Sequence, residues 1–171
     1  MKKLLMIRHA KSSWADSAMT DFERPLNDRG LRDAPLMSER ILSFKPQIVV
    51  SSPANRAIST ARIFCSKWNI NTLHIVEAPQ IYEAPVQNII NSIHNLPEDK
   101  DFAALFGHNP GFTMTVNMLT GFNIDEIPTC GIALLSVKSD KWSDFYTENA
   151  ILEMFDYPKN LSGKPIRFIN G

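Results

Sequence analysis

An α/β fold with a mainly parallel sheet is predicted by three observations. Short, continuous apolar runs alternate with stretches of helical spacing, which is the pattern of strands joined by crossover helices. The 171 residues suit one domain, read as spanning 1–171, and suffice for a sizeable core. Hydrophobic residues make up 44% and charged residues 21%, ordinary globular usage that excludes disorder, collagen and coiled coil.

The elements follow in order. Lys3–Ile7 reads as a buried strand. Asp28–Phe44 reads as a helix, with Leu31, Ala34, Met37, Ile41 and Leu42 at helical spacing and Asn27 as N-cap. Pro35 implies either a start nearer Ala34 or a kink. Pro46 marks a break before a second strand, Gln47–Val50. Pro53 opens a helix through about Trp68, since proline suits the first turn. Leu73–Val76 reads as a third strand, with His74 inside it. Val86–Asn95 is a helix with Val86, Ile89, Ile90 and Ile93 on one face. Phe102–Phe106 is a fourth strand, Gly111–Leu119 a helix and Ile132–Val137 a further strand. Ser143–Asn149 and Ile151–Phe155 are ambiguous, with strand favoured for part of them. The tail from Tyr157 to Gly171, with Pro158, Gly163 and Pro165, reads as irregular.

Charge is balanced overall but not along the chain. Lysine plus arginine and aspartate plus glutamate each number 18, which excludes a global basic field for nucleic acid. Residues 1–62 nevertheless carry a net +5 and hold seven of the eight arginines, while residues 63–171 carry −5. Those arginines either decorate helix surfaces or build an anion site, a task for which the planar guanidinium fork is suited. Cys65 and Cys130 make no disulfide scaffold and no zinc spacing, so they are expected to be reduced and buried, as in a cytoplasmic protein. The apolar run Leu4–Ile7 is too short for a signal segment or a membrane span, and no membrane association is expected.

In open α/β sheets ligands bind beyond the carboxyl ends of the strands. Arg8-His9-Ala10 directly follows the first strand, and Gly107-His108-Asn109-Pro110-Gly111 directly follows the fourth. Ser51-Ser52-Pro53-Ala54-Asn55-Arg56 follows the second and puts Arg56 in the first turn of a helix, beside free N–H groups and the positive dipole end. Two arginines, two histidines and a helix N-terminus at one sheet edge point to phosphate. His74 and His94 read as structural or surface residues. The competing chemistries lack their signatures. No HxH or HExxH pattern completes a metal shell, and arginines beside the histidines repel a cation. Ser51 and Ser52 lack the GxSxG elbow, and Gly107 to Gly111 is not a Walker loop, which leaves nucleotide binding unsupported.

These blocks resemble the histidine phosphatase superfamily, the phosphoglycerate-mutase-like fold. Arg8-His9-Ala10 is similar to its Arg-His-Gly/Ala signature, Ser51 to Ala61 to its second arginine motif, and Gly107-His108-Asn109-Pro110 to its second histidine motif. Arg24-Pro25-Leu26-Asn27-Asp28-Arg29-Gly30 and Arg8 to Trp14 resemble the short SixA-type phosphohistidine phosphatases. The ordered blocks span residues 4 to 111; nothing after Leu119 matches a motif, apart from the strand at 131–137 that such a fold expects.

The resemblance implies a three-layer αβα sandwich, no cofactor and no metal. It implies His9 as the nucleophile that carries the phosphoryl group, with Arg8, Arg56 and His108 on the phosphate oxygens. It places a general acid in the third strand–helix loop, where Glu83 is the candidate; SixA-type members lack a clear acid. The implied partner is a phosphorylated protein, such as a histidine phosphotransfer domain. The physics is compatible, because an imidazole leaving group has a pKa of about 6.5 and needs less protonation than an alkoxide. The segment after His9 has no long insertion to act as a lid, which suits a phosphate displayed on a protein. In it Trp14 and Phe22 line the rim or pack inside, and Asp21 and Arg24 pair or are solvated. The alternatives are a small-molecule phosphomonoesterase or mutase on the same scaffold, which would need a strong acid and a closed pocket, and a phosphoprotein-binding module without turnover.

Overall fold

The computed structural model describes residues 1–168. Seven strands form one sheet in the order β3-β2-β4-β1-β5-β6-β7. They are β1 (Lys2–Arg8), β2 (Ile48–Ser51), β3 (Val76–Glu77), β4 (Phe102–Gly107), β5 (Ile132–Val137), β6 (Ile151–Asp156) and β7 (Ile166–Arg167). The sheet is mixed. Pairings from β3 through to β1 are parallel, and those from β1 outward to β7 are antiparallel. The helices are α1 (Asp28–Arg40), α2 (Asn55–Trp68), α3 (Val86–His94) and α4 (Gly111–Thr120).

The pleat explains the three layers. Successive strand residues face opposite sides, so Leu4 and Met6 of β1 enter one core and Leu5 and Ile7 the other. The first core is closed by Ile89, Ile90 and Ile93 of α3 with Phe112, Val116 and Leu119 of α4. The second is closed by Met37 of α1 and by Phe64, Cys65 and Trp68 of α2. A strand buried on both faces is apolar through its centre, which is why β1, β4 and β5 read so clearly in the sequence. Both cysteines are free and buried, and burial pushes the Cys65 thiol up to about 11, so it is inert at neutral pH.

Some expectations are met and others are corrected. The first helix starts at Asp28, where the Asn27 side chain accepts the Gly30 N–H at 3.0 Å. It runs through Pro35 without restarting. Proline removes the bond to the Leu31 carbonyl, and Leu31 is exposed, so water can take that bond. The helix ends at Arg40 rather than Phe44, and the Ile41 carbonyl accepts from Trp68 Nε1 instead. Leu73–Val76 is not a strand. The Asn71 side chain accepts the Leu73 N–H and folds Thr72–His74 into a 3-10 turn, leaving only Val76–Glu77 in the sheet. His74 therefore lies in a turn, and His94 ends α3 bonded to the Phe145 carbonyl. Ser143–Asn149 is turn, while β6 occupies the second ambiguous stretch. The tail is not wholly irregular, since Ile166–Arg167 pairs with β6; its residues 169–171 lie outside the described residues.

Candidate active site

Register brings three strand ends to one place. Arg8 of β1 pairs with Gly107 of β4, and Ser51 of β2 pairs with Phe106 of β4. The residues that follow, His9, Ser52 and His108, leave the sheet side by side. The His9 N–H donates to the Gly107 carbonyl, and the His9 carbonyl accepts from Cys130 N–H, so the backbone at His9 is clamped on both sides. The Thr60 hydroxyl, bonded to the Arg56 carbonyl, accepts the Ala10 N–H and ties the same loop to α2.

A cleft of about 320 Å³ opens there, lined by Arg8, His9, Lys11, Arg24, Arg56 and Glu83 together with Asp21, Trp14, Ser12 and Thr129. His9 is nearly buried. Its Nδ1 lies 2.8 Å from the Ala10 carbonyl, which can only accept, so Nδ1 carries the proton and Nε2 keeps a lone pair. Arg56 Nε donates to that Nε2 at 3.3 Å. Burial, followed by the charges of Arg56, Arg8 and Arg24, outweighs the Ala10 bond and lowers the His9 pKa to about 4. His9 is thus a neutral, oriented imidazole in a ring of cations, the state a nucleophile toward a phosphate needs.

His108 forms a wall beside it, its ring centroid 5.1 Å from that of His9. Burial first, then the neighbouring His9, lowers its pKa to about 3. Tyr82 packs edge-on against this ring at 5.4 Å.

The arginines hold carboxylates. Asp21 accepts from Arg56 Nη2 at 2.8 Å, Arg24 Nη1 at 2.7 Å and the Tyr82 hydroxyl at 2.8 Å. Burial pushes the Asp21 carboxyl up, but these three donors prevail and hold it well below the usual carboxylate range. Arg24 also donates to the Ser13 carbonyl and the Ser12 hydroxyl, and its guanidinium stacks 3.2 Å from the centre of the Trp14 ring. Arg24 therefore organises the segment between His9 and α1. Gly30 allows this segment to approach α1, because a Cβ there would collide with the Lys11 carbonyl. Arg8 Nη1 is bonded to the Glu126 carboxylate and, at 2.8 Å, to the Ile127 carbonyl. Glu83 reaches within 3.7 Å of Arg56 Nη2 from an exposed position. Its backbone has φ +45°, a left-handed conformation that non-glycine residues adopt at a cost and that turns the chain at the cleft rim.

The structure thus gathers four candidate residues, His9, Arg8, Arg56 and Glu83, around one opening, and buries the fifth, His108, against the His9 ring. Asp21 and Arg24 do pair. Trp14 lines the rim, and Phe22 packs edge-on against Tyr82 at 5.3 Å. Sequence reasoning missed Tyr82 and Ser52 as neighbours of the histidines, although both lie next to residues it singled out. It also missed Glu126 and Thr129, which come from the stretch with no matching motif and carry no sequence signal of their own. Among the described residues, no group of three or more His, Cys, Asp and Glu side chains is arranged to hold a metal ion, and no helix is long and apolar enough to cross a membrane.

Residues 4–86 match the family described as Histidine phosphatase superfamily (branch 1). An uncharacterized chloroplastic protein of Arabidopsis thaliana is 28% identical over 159 residues, covering 85% of this chain and 71% of that protein. Among solved structures, SixA from Agrobacterium tumefaciens, provisionally named a phosphohistidine phosphatase, has a TM-score of 0.78 and 25% identity, over 92% of this chain and 98% of its own. The protein histidine phosphatase SixA complexed with tungstate has a TM-score of 0.78 and 22% identity, over 93% of this chain and 99% of its own.

Proposed function

The chain belongs to the histidine phosphatase superfamily, and from that premise we propose that it hydrolyses phosphohistidine carried on a protein, through a covalent phosphoryl intermediate on His9. The observation that carries this reading is the Ala10 carbonyl on His9 Nδ1, which puts the lone pair on Nε2, where it takes a 3.3 Å bond from Arg56 Nε and faces the cleft lined by Arg8, Arg24 and Arg56.

In the first step His9 Nε2 attacks phosphorus and the bond from phosphorus to the carrier imidazole breaks. The electron pair leaves with that imidazole, which takes up a proton. Arg8, Arg56 and His108 stabilise the charge spread over the equatorial oxygens. In the second step water attacks the phosphoryl group on His9, phosphate departs and Nε2 regains its lone pair. No metal takes part, because the cationic side chains supply the positive charge a metal would bring.

Three further points support the protein-borne substrate. The cleft is small and open, so a phosphoryl group can enter while its carrier stays outside. Imidazole is a good leaving group and tolerates a weak acid. Tungstate, held by a relative of the same fold, is an oxyanion shaped like phosphate. A second reading, hydrolysis of small phosphate esters, is favoured by Glu83 at the cleft rim, where its carboxyl could protonate an alkoxide.

The test compares phosphate release from a phosphohistidine-bearing phosphotransfer protein and from an aryl phosphate, wild type against His9→Ala. Fast release from the protein, abolished in the variant, is expected. A preference for the ester, crippled by Glu83→Gln, would establish the second reading. Wild-type rates in His9→Ala would refute the nucleophile, and stable phosphoprotein binding without release would make the protein a binding module. A chelator is expected to leave activity unchanged; loss of activity on chelation would refute the metal-free mechanism.

A further inference from the structure

We propose that Ser52 is a positioning residue that fixes the proton of His108 on Nδ1. The inference deepens the phosphatase reading and rests on it for its catalytic consequence, but the proton's position follows from bonding alone. Ser52 is fully buried directly after β2, and its N–H donates to the Phe106 carbonyl at 2.9 Å, so its backbone is fixed. Its Oγ accepts the Ala54 N–H at 3.3 Å and lies 2.8 Å from His108 Nε2.

A hydroxyl has one proton to give. Among the described residues, the acceptor within reach of Ser52 Oγ is His108 Nε2. The neighbouring Ser51 hydroxyl is already committed to the Ser52 carbonyl. Were Nε2 the protonated nitrogen, two buried groups, the Ser52 proton and the Nδ1 lone pair, would be left without partners; with the proton on Nδ1 only one group, the Nδ1–H, is left, which costs less. Ser52 therefore donates, Nε2 accepts, and the ring proton sits on Nδ1. That nitrogen is itself buried and has no hydrogen-bond partner among the described residues.

The two histidines then share a tautomer and divide the work. The Ala10 carbonyl holds the proton of His9 on Nδ1 and frees Nε2 to attack. Ser52 occupies Nε2 of His108 and reserves Nδ1–H as a donor. A buried donor without a partner is explained if a phosphoryl oxygen completes it during turnover. Because burial and His9 lower the His108 pKa to about 3, the ring is neutral at pH 7, and its tautomer, not its charge, is the variable Ser52 controls.

The test is nitrogen NMR of protein labelled with ¹⁵N-histidine at pH 7, with His108 assigned from its disappearance in His108→Gln. Wild type is expected to show a directly bonded proton on His108 Nδ1 and none on Nε2. Ser52→Ala is expected to give averaged signals from both tautomers, and to lower kcat on the order of tenfold with little change in KM, the size expected for one misdirected hydrogen bond. Ser52→Thr, which keeps the hydroxyl, is expected to restore both. A proton on Nε2 in wild type, or an unchanged Nδ1–H signal in Ser52→Ala, would overturn the proposal. The wild-type spectrum and Ser52→Thr decide it even if Ser52→Ala does not fold. Because the spectrum needs no turnover, an Nδ1–H tautomer in an inactive protein would count against the phosphatase reading alone, and an Nε2–H tautomer in an active one against the role of Ser52 alone.

Discussion

Strand β1 carries a buried or nearly buried cation at each end, and the two are held differently. At its start, Lys2 Nζ donates to the Glu98 carbonyl at 2.7 Å, the Lys100 carbonyl at 3.0 Å and Asp101 Oδ1 at 3.0 Å, with the Trp142 ring 5.4 Å away. Two of those partners are backbone and cannot leave. At its end, Arg8 has one fixed partner, the Ile127 carbonyl, beside the carboxylate of Glu126, and nearby Arg56 takes both the carbonyl and the carboxylate of Asp21. Those carboxylates sit on exposed or half-exposed side chains that can yield to another anion. A cation satisfied by fixed carbonyls completes a fold. A cation satisfied in part by exchangeable carboxylates is available to a ligand.

The comparison is tested most severely at Arg56. Arg56→Ala is expected to lower kcat/KM by about 10²–10³ and to weaken inhibition by phosphate or vanadate, since its guanidinium bonds His9, the proposed nucleophile, where it would serve charge developing in a shielded site. Unchanged vanadate inhibition would refute its place in the anion site. Lys2→Met should do the reverse. It leaves the Glu98 carbonyl without its Lys2 donor, while the Lys100 carbonyl keeps its bond from Trp142 Nε1, for a loss of about 1–2 kcal/mol and a melting temperature lower by roughly 2–8 °C. The inhibition constant for phosphate should not move; if it did, the two ends of β1 would not be separable as fold and site.

The same contrast explains what the sequence made legible. His9, Arg56 and His108 were readable because each follows or enters an element whose apolar run or proline signal is strong, and a parallel sheet dictates where its strand ends meet. Lys2 was not, because a lysine at the head of a strand looks like any solvated residue until the carbonyls at Glu98 and Lys100 arrive from another part of the chain. Glu126 was unreadable for the same reason. The third strand was misplaced because Leu73 and Val76 satisfy β-propensity, while the Asn71 side chain imposes a turn that propensity does not weigh. The antiparallel half of the sheet was hidden because alternation of strands and helices stops after α4. The pair β6–β7 is set by contacts across nine residues of irregular chain.

Acid titration sharpens the comparison at the level of the histidines. In the window from about pH 6.5 down to about 4, an unfolded chain takes a proton at His9 that the folded chain refuses. Stability therefore falls as pH is lowered through that window, by up to about 1.4 kcal/mol per pH unit for each histidine. His108 extends the effect to about 3. Asp21 acts in the same direction at lower pH, because its carboxyl binds a proton less readily folded than unfolded. Urea melts across pH 7 to 4 are expected to show this slope in wild type and a shallower one in His108→Gln. An equal slope would mean that the ring is not held neutral by its burial. For activity, the acid limb of kcat/KM should appear near pH 4 rather than near 6.5.

The smallest expected effect separates competition from support. The Glu126 side chain is 62% exposed and that of Arg8 18% exposed, so the pair is worth at most about 1 kcal/mol. If Glu126 holds the place of a substrate oxyanion, Glu126→Gln frees Arg8 and tightens phosphate inhibition about two- to fivefold. Raising the salt should shrink the difference between wild type and variant, because salt screens exposed pairs more than buried ones. If Glu126 instead aims Arg8 into the cleft, the same substitution weakens phosphate binding. The second outcome would still leave Arg8 a phosphate ligand, but it would make the loop before β5 a working part of the site and not an occupant of it. The Ile127 carbonyl, which keeps its bond to Arg8 Nη1 in either case, holds the guanidinium near the cleft and makes the first outcome the expected one.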